Sequence, residues 1–493
     1  MDNFQKALNE SGIYGEVAEI RYPLVTIKGL PKVRPQQTII FNNGDIGSVF
    51  DIEKEHIQAL VFSNNPPSIQ AQVAPLMMPL GINVSNQLLG KTVNPLGQET
   101  TNEKFEINMQ NISYKSIFSE SFGISERITI KEPFLTGQMK VDLLLPLGKG
   151  QRELILGDGK TGKTSLILSI IETQAQHEES VIIYAGIGKK AAEINQIKDY
   201  LINHKLMSKT VLITSLSADN AGLIYITPYS AMTIAEFFAK QGKDVTLILD
   251  DLSIHAVRYR EIALLSRRFP GRESYPGDIF YSHASLLERA GYFKNENNQP
   301  YSITCLPIAS TVEGDITGYI STNLMSITDG HILFDYDIYN KGQRPAINIP
   351  LSVTRVGRQT QTALLREINV EILSSLSQYE KMKNIMHLGS EISQESKNII
   401  AKGLAFENML QQELNVIKKP VQVVIFALAY ANPGQFGEIS DYNKVLSNLL
   451  NIANTKEGAQ EVQKVADSNN INELLERISQ SPVLSPLCKK EAT

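Results

Sequence analysis

The 493-residue sequence has no tryptophan and only two cysteines, Cys305 and Cys488. Two thiols so distant in the chain suggest neither a metal knuckle nor a disulfide framework, so free thiols in a reducing cytosol are expected. No apolar run approaches the roughly 20 residues that a membrane helix requires. The start of the chain, Met1-Asp2-Asn3-Phe4, lacks the basic and apolar regions of an export signal. Any membrane role is therefore expected to go through partner subunits. An excess of positive charge is missing too. The formal net charge of −5 gives no general pull toward nucleic acid or anionic lipid. Repeats and low-complexity tracts are absent. What remains is an ordinary soluble composition, 42% hydrophobic and 20% charged, in a chain long enough for about three domains.

The most informative stretch is Gly157-Asp158-Gly159-Lys160-Thr161-Gly162-Lys163-Thr164-Ser165. It fits G-x-x-x-x-G-K-[ST], with the apolar strand Glu153–Leu156 before it and a helix from Ser165 to Ile171 after it. Glycines let backbone N–H groups turn toward phosphates, and a helix N-terminus adds its positive end. Lys163 is expected to reach the terminal phosphates and the Thr164 hydroxyl to hold Mg²⁺. A chance Gly/Lys-rich turn would not need that strand–loop–helix context. The sequence thus predicts a nucleotide site.

Before this loop, short β-rich stretches run from residue 13 to about 75: Tyr14–Ile20, Leu24–Ile27, Gln37–Phe41, Ile46–Phe50 and Gln58–Val61. Turn signals such as Asn42-Asn43-Gly44-Asp45 punctuate them. Five or six such strands read as a small closed barrel. Its aromatics fit a core as well as a stacking platform, which favours a structural collar over an oligonucleotide-binding barrel. A strand and turn at Gly90–Gly97 lead into the next domain. From Gln151 onward the apolar strands Glu153–Leu156, Val181–Tyr184, Val211–Thr214, Val245–Leu249 and Ile303–Pro307 alternate with helices, the pattern of a parallel sheet buried on both faces. The fourth ends in Asp250-Asp251, and Asp250 is the candidate for holding a Mg²⁺-bound water. After about Arg366 helical spacing takes over at Glu367–Tyr379, Ser393–Glu413, Val421–Tyr430 and Asp441–Ala453. Val445, Leu446, Leu449 and Leu450 on the last are read as packing within a helical domain. Ser481–Thr493 reads as a frayed tail. The expected fold is multidomain α/β: an N-terminal barrel at 1–76, a recombinase-like P-loop NTPase domain with a mostly parallel sheet at 77–365, and a C-terminal helical domain at 366–493.

Collinear motifs point further. Pro133-x-x-x-Gly137, Val141-Asp142 and Pro146-x-Gly148-x-Gly150-Gln151-Arg152 lead into the phosphate loop. Pro228-Tyr229-Ser230, Asp250-Asp251-Leu252-Ser253, Pro270-Gly271-Arg272-Glu273 and Leu286-Leu287-Glu288-Arg289-Ala290 follow. Ser326-Ile327-Thr328-Asp329-Gly330, Arg344-Pro345-Ala346-Ile347-Asn348 and Ser352-Val353-Thr354-Arg355-Val356-Gly357 come last. From the barrel through most of the helical domain, the sequence resembles the α subunit of rotary F-type ATP synthases. The resemblance implies ATP or ADP and Mg²⁺ as ligands. It also implies β-type catalytic subunits alternating with this chain in a hetero-hexamer, a central γ-type shaft, and a cytoplasmic complex peripheral to the inner face of the cell membrane. It gives Arg355 the role of an arginine finger in the neighbouring β site, Ser326 a place at the same interface, and Arg344, Pro345 and Gln412 a place around the adenine.

The departures carry their own expectations. The catalytic partner ends its second sheet strand in Gly-x-Gly-Glu, whereas this chain has Gly186-Ile187-Gly188-Lys189. A charged lysine cannot orient the attacking water as that carboxylate does, so this chain's own site is expected to be silent. Gly159-Lys160 stands where the family has Arg-Gln, and Leu414 replaces a second adenine-proximal glutamine, which predicts weaker adenine selectivity. About a dozen residues precede the first strand. The family's stalk-binding N-terminal helix is thus expected to be absent, which weighs against ATP synthesis and toward a hydrolytic motor, with both directions left open. A hexameric helicase or translocase would need a basic, aromatic central loop and its own catalytic carboxylate. A secretion-type ATPase would also need a complete site of its own. The acidic charge argues against the first, and Lys189 against both.

Overall fold

A computed structural model describes residues 3–100, 113–295, 297–386 and 393–488. The chain forms two compact units, one of residues 1–129, 149–156 and 175–329, the other of 130–148, 157–174 and 330–493.

The first unit opens with a helix, Asn3–Ser11, absent from the sequence expectation. Its short apolar side, Phe4 and Ala7, is buried with Ile40 and Ala74 of the barrel. The barrel strands are β1 (Gly15–Arg21), β2 (Leu24–Lys28), β3 (Gln37–Phe41), β4 (Ile46–Ile52), β5 (Ile57–Val61) and β6 (Gln72–Pro79). They close in the order β1-β2-β5-β4-β3-β6, which leaves no free edge. Alternate residues point inward: Val17, Val25, Ile27, Ile39, Phe41, Val49, Ala59, Val61 and Val73 form one core. Phe41 and Phe62 are buried, Tyr22 and Phe50 half-buried and Tyr14 exposed, so the reading of these aromatics as core holds only in part.

The same unit holds a parallel sheet with neighbouring strands Glu153–Gly157, Pro300–Ser310, Asp244–Asp250, Ser180–Lys189, Thr210–Leu216 and Thr92–Val93. Its strands are almost wholly buried, the consequence of covering both faces with helices. The expected central strands all form, extended by one to several residues. Gly186 pairs with Asp250, so the strand Ser180–Lys189 carries Lys189 past the end of its neighbour.

In the second unit the loop at Gly157 leads into the helix Lys163–Ala175. The four expected C-terminal helices form as Ala363–Met386, Gln394–Met409, Lys419–Ala431 and Ile439–Ala453. Leu446 and Leu449 of the last are buried within this helical domain, which accounts for its apolar side. Two more helices, Lys456–Ala466 and Ile471–Gln480, were not foreseen, because each buries only two or three residues on a polar background. The expected fraying from Ser481 is corrected in part: Ser481 and Leu484 are buried, and Ser485–Cys488 is a helical turn. Residues 489–493 of that expected tail lie outside the described residues.

Candidate nucleotide site

The phosphate loop turns through three left-handed residues, Gly157 (φ 148°), Lys160 (φ 65°) and Gly162 (φ 104°). At Gly157 a Cβ would come within 2.4 Å of the Phe334 carbonyl oxygen, so only glycine fits. Thr161 is buried and donates its hydroxyl to the Asp158 carbonyl at 2.8 Å, pinning the turn. Lys163 folds over the loop and donates to the carbonyls of Gly157 and Asp158. Asp158 is half-buried, and Gly159 and Lys160 are exposed. Thr164 and Ser165, also exposed, begin the 13-residue helix, whose free N–H groups and dipole favour an anion.

Lys160 to Ser165 line a cleft of about 410 Å³ together with Arg344, Pro345 and Gln412, so the structure gathers most of the sequence-predicted loop and the base-flanking residues in one place; Gly157, Asp158 and Gly159 do not line it. Arg344 is fixed by donating to the carbonyls of Tyr339 and Gln343, both at 2.8 Å, with its guanidinium 3.6 Å from the Tyr339 ring centroid. Tyr339, which also lines the cleft, carried no signal in the sequence pattern. Gln412 is buried and both ends of its amide are taken: it accepts from Met139 N at 2.9 Å and donates to the carbonyls of Gly137 and Asn415. Its backbone N–H donates to the Arg344 carbonyl at 2.8 Å. In this geometry Gln412 holds the wall of the cleft together. Lys140, equally unforeseen, donates to the Pro345 carbonyl at 2.8 Å, and burial lowers its pKa to about 8.

The remaining candidates lie elsewhere. Arg355 belongs to the same unit but follows the short strand Val353–Thr354, exposed, and forms no hydrogen bond or ion pair with the described residues. Its charge is felt by His331, whose pKa is lowered by burial and, to a smaller extent, by Arg355. Ser326 and Asp250 belong to the other unit. Ser326 is exposed in the last turn of the helix Tyr319–Ile327 and donates to the Asn323 carbonyl at 2.7 Å.

Asp250 tests whether the chain suits Mg²⁺. One carboxylate oxygen lies 2.6 Å from Lys189 Nζ and the other accepts from the Tyr184 hydroxyl at 2.6 Å. Burial works against the Lys189 charge, but Asp250 together with Asp251 and Glu193 outweighs it and raises the lysine's pKa. Asp251 is committed as well: it caps the helix Leu252–Leu265 through Ser253 N and Ile254 N and accepts from Ser310 Oγ. Each Asp250 oxygen thus has one partner within its own unit, and the Thr164 hydroxyl belongs to the other unit.

A phosphate loop, a parallel sheet, a closed barrel and a helical domain in one chain define a P-loop nucleotide-binding protein of the recombinase-like kind. The sequence pattern of the ATP synthase alpha/beta family matches twice, its nucleotide-binding domain over residues 137–354 and its C-terminal domain over 361–482. The "ATP synthase subunit alpha 1" of Mycoplasmopsis pulmonis is 36% identical over 442 residues, covering 89% of this chain and 83% of the relative. The "ATP synthase subunit alpha" of Metamycoplasma arthritidis is 37% identical over 92% of this chain and 86% of the relative. That of Clostridium botulinum (strain Eklund 17B / Type B) is 35% identical, at 90% and 87% coverage. The chain belongs to the ATP synthase alpha/beta family and, within it, to the F-type alpha subunits, parts of a complex that makes or hydrolyses ATP. Among the described residues no helix is long and apolar enough to cross a membrane.

Proposed function

We propose that this chain is the ATP-holding, non-catalytic subunit of an F-type rotary ring, and that it completes the catalytic site of a neighbouring β-type subunit with Arg355. The observation that carries this reading is Lys189, ion-paired at 2.6 Å to Asp250 where hydrolysis needs a water-orienting carboxylate. ATP or ADP lies in the cleft with phosphates on the loop and helix N-terminus and the base toward Tyr339, Arg344 and Pro345. With lysine at position 189 in place of the water-orienting carboxylate, the nucleotide stays intact. Arg355 supports the second half of the reading. It is exposed and without an internal partner among the described residues, and its guanidinium is always charged and offers forked donors to phosphate oxygens. The ring alternates this chain with β-type subunits around a γ-type shaft and meets the membrane only through other subunits.

The test uses rings reconstituted with a β-type partner, with assembly followed by size and turnover by phosphate release. Arg355→Ala is expected to leave the ring assembled and nucleotide bound, while turnover falls on the order of 10²-fold or more. Lys163→Ala should weaken this chain's own nucleotide binding and lower turnover far less. Equal losses from both substitutions would place the catalytic site in this chain. Little loss from Arg355→Ala would make the arginine structural.

A further inference from the structure

A second cavity, of about 930 Å³, lies wholly within the second unit and shares no lining residue with the nucleotide cleft. Its size is that of a small-molecule site. Ile338, Ile347, Leu373, Leu376 and Leu410 give it apolar walls. Lys140 also lines it, from the short helix Met139–Leu144, all six of whose residues are buried. The lysine is 6% exposed. A charge taken out of water is normally paired, because burial alone is costly. Among the described residues Lys140 has no ion pair. Its ammonium carries three N–H donors, and the described partner is the Pro345 carbonyl at 2.8 Å. Glu407 supports the charge from the helix Gln394–Met409, but its carboxylate accepts from Gln343 Nε2. Burial lowers the lysine's pKa to about 8, so the amine is mostly protonated at neutral pH. The cavity thus contains a buried positive charge with N–H donors to spare, beside apolar walls.

The other charges around the cavity balance. Lys341, Lys381 and Lys383 stand with Asp335, Asp337 and Glu380. Attraction for an anion is therefore local to Lys140, and one negative charge matches it. A dianion would bring a second charge toward the acids. We propose that this cavity binds a small amphipathic carboxylate, with its head on Lys140 and its apolar body along Ile347, Leu376 and Leu410. The ligand supplies the counter-charge that the fold leaves out, and it occupies a place separate from the nucleotide.

The test is calorimetric titration of the full-length chain with octanoate, octanol, octylamine and octyl phosphate, with and without ATP. Octanoate is expected to bind saturably, and about tenfold or more tighter than the other three. Saturating ATP should leave that binding in place. Lys140→Met, which keeps the apolar stem and removes the charge, should weaken octanoate about tenfold or more and leave octanol unchanged. Ser377→Trp decides the matter if Lys140→Met fails to fold: Ser377 is an exposed lining residue, and an indole there should fill the cavity and abolish octanoate binding. No saturable octanoate binding, equal or tighter binding of any of the other three probes, or displacement of octanoate by ATP would overturn the proposal. Full octanoate affinity in either variant would overturn it as well.

Discussion

Single side chains decide the chemistry of this molecule, and some were readable in advance. The loop glycines and Lys163 were legible because geometry restricts which residues can stand there. Lys189 was legible as a missing carboxylate, but its bond to Asp250 was not, since no spacing rule links neighbouring strands. Gln412 shows the limit from the other side: the sequence predicts a residue beside the base, and the fold gives its amide to the backbone of Gly137, Met139 and Asn415. A buried histidine pair gave no sequence signal at all. His255 Nδ1 and His283 Nε2 are 3.0 Å apart, and His255 Nε2 meets the Tyr225 carbonyl at 3.1 Å. Tyr225 and Tyr229 pack against His255, and Tyr259, bonded to Asp278, stacks on Tyr225. Burial lowers the pKa of both rings, that of His283 to about 4. Above pH ~6.5 both are neutral in folded and unfolded chains and cost nothing. As pH falls from ~6.5 toward 4, only the unfolded chain takes up the proton, so stability declines, by about 3 kcal/mol for His283 alone. Denaturant unfolding of wild type and His283→Gln across that window should show a shallower decline in the variant; parallel curves would clear the pair of acid sensitivity.

At the scale of elements, periodicity found the strands and helices with broad apolar faces and missed those with narrow ones. Helices Lys456–Ala466 and Ile471–Gln480 bury too few residues to stand out, and Asn3–Ser11 buries two. Many motifs that carried the family resemblance turn out to join elements. Arg152 grips Asp329 through Nε at 3.0 Å and Nη2 at 2.7 Å. Arg289, 1% exposed, binds Glu236 through two nitrogens and also reaches Thr233 and the Ile117 carbonyl. Asp142 accepts from Thr136, Gly137 and Gln422, fastening the segment before the phosphate loop to the helix Lys419–Ala431. Gly403 plays a quieter part where the helices Ala363–Met386 and Gln394–Met409 meet. A Cβ there would lie 2.2 Å from Tyr379 Cβ, which cannot swing away. Alanine gains about 1 kcal/mol in helix propensity but overpacks the contact by about 1–3 kcal/mol. Gly403→Ala is thus expected to lower stability by about 1 kcal/mol, and Tyr379→Gly in the same chain, which removes the opposing Cβ, should relieve most of that extra cost beyond its own single-mutant loss. Additive losses in denaturant unfolding would show that the two do not share the contact.

For the whole molecule the question is whether the chain is an enzyme alone. Hydrolysis requires bound phosphates, an oriented water and a carboxylate to hold that water. The cleft lined by Lys163, Thr164 and Arg344 meets the first requirement. For the third, the family resemblance puts the carboxylate at position 189, where this chain has lysine. On the function proposed above, catalysis comes from a partner that supplies that carboxylate, with this chain contributing Arg355. The purified chain is therefore expected to bind ATP and release no phosphate over many equivalents, and to support hydrolysis only when mixed with β-type subunits. Added oligonucleotide should change neither result, because the net charge of −5 gives no general attraction to a phosphate backbone. Phosphate release and filter binding on one preparation separate the cases. Steady turnover by the chain alone, abolished by Lys163→Ala, would mean that a water-orienting group exists within it and that Arg355 is not needed in trans. Turnover that appears only with the partner, and vanishes with Arg355→Ala, leaves the division of labour between two chains as the account of the site.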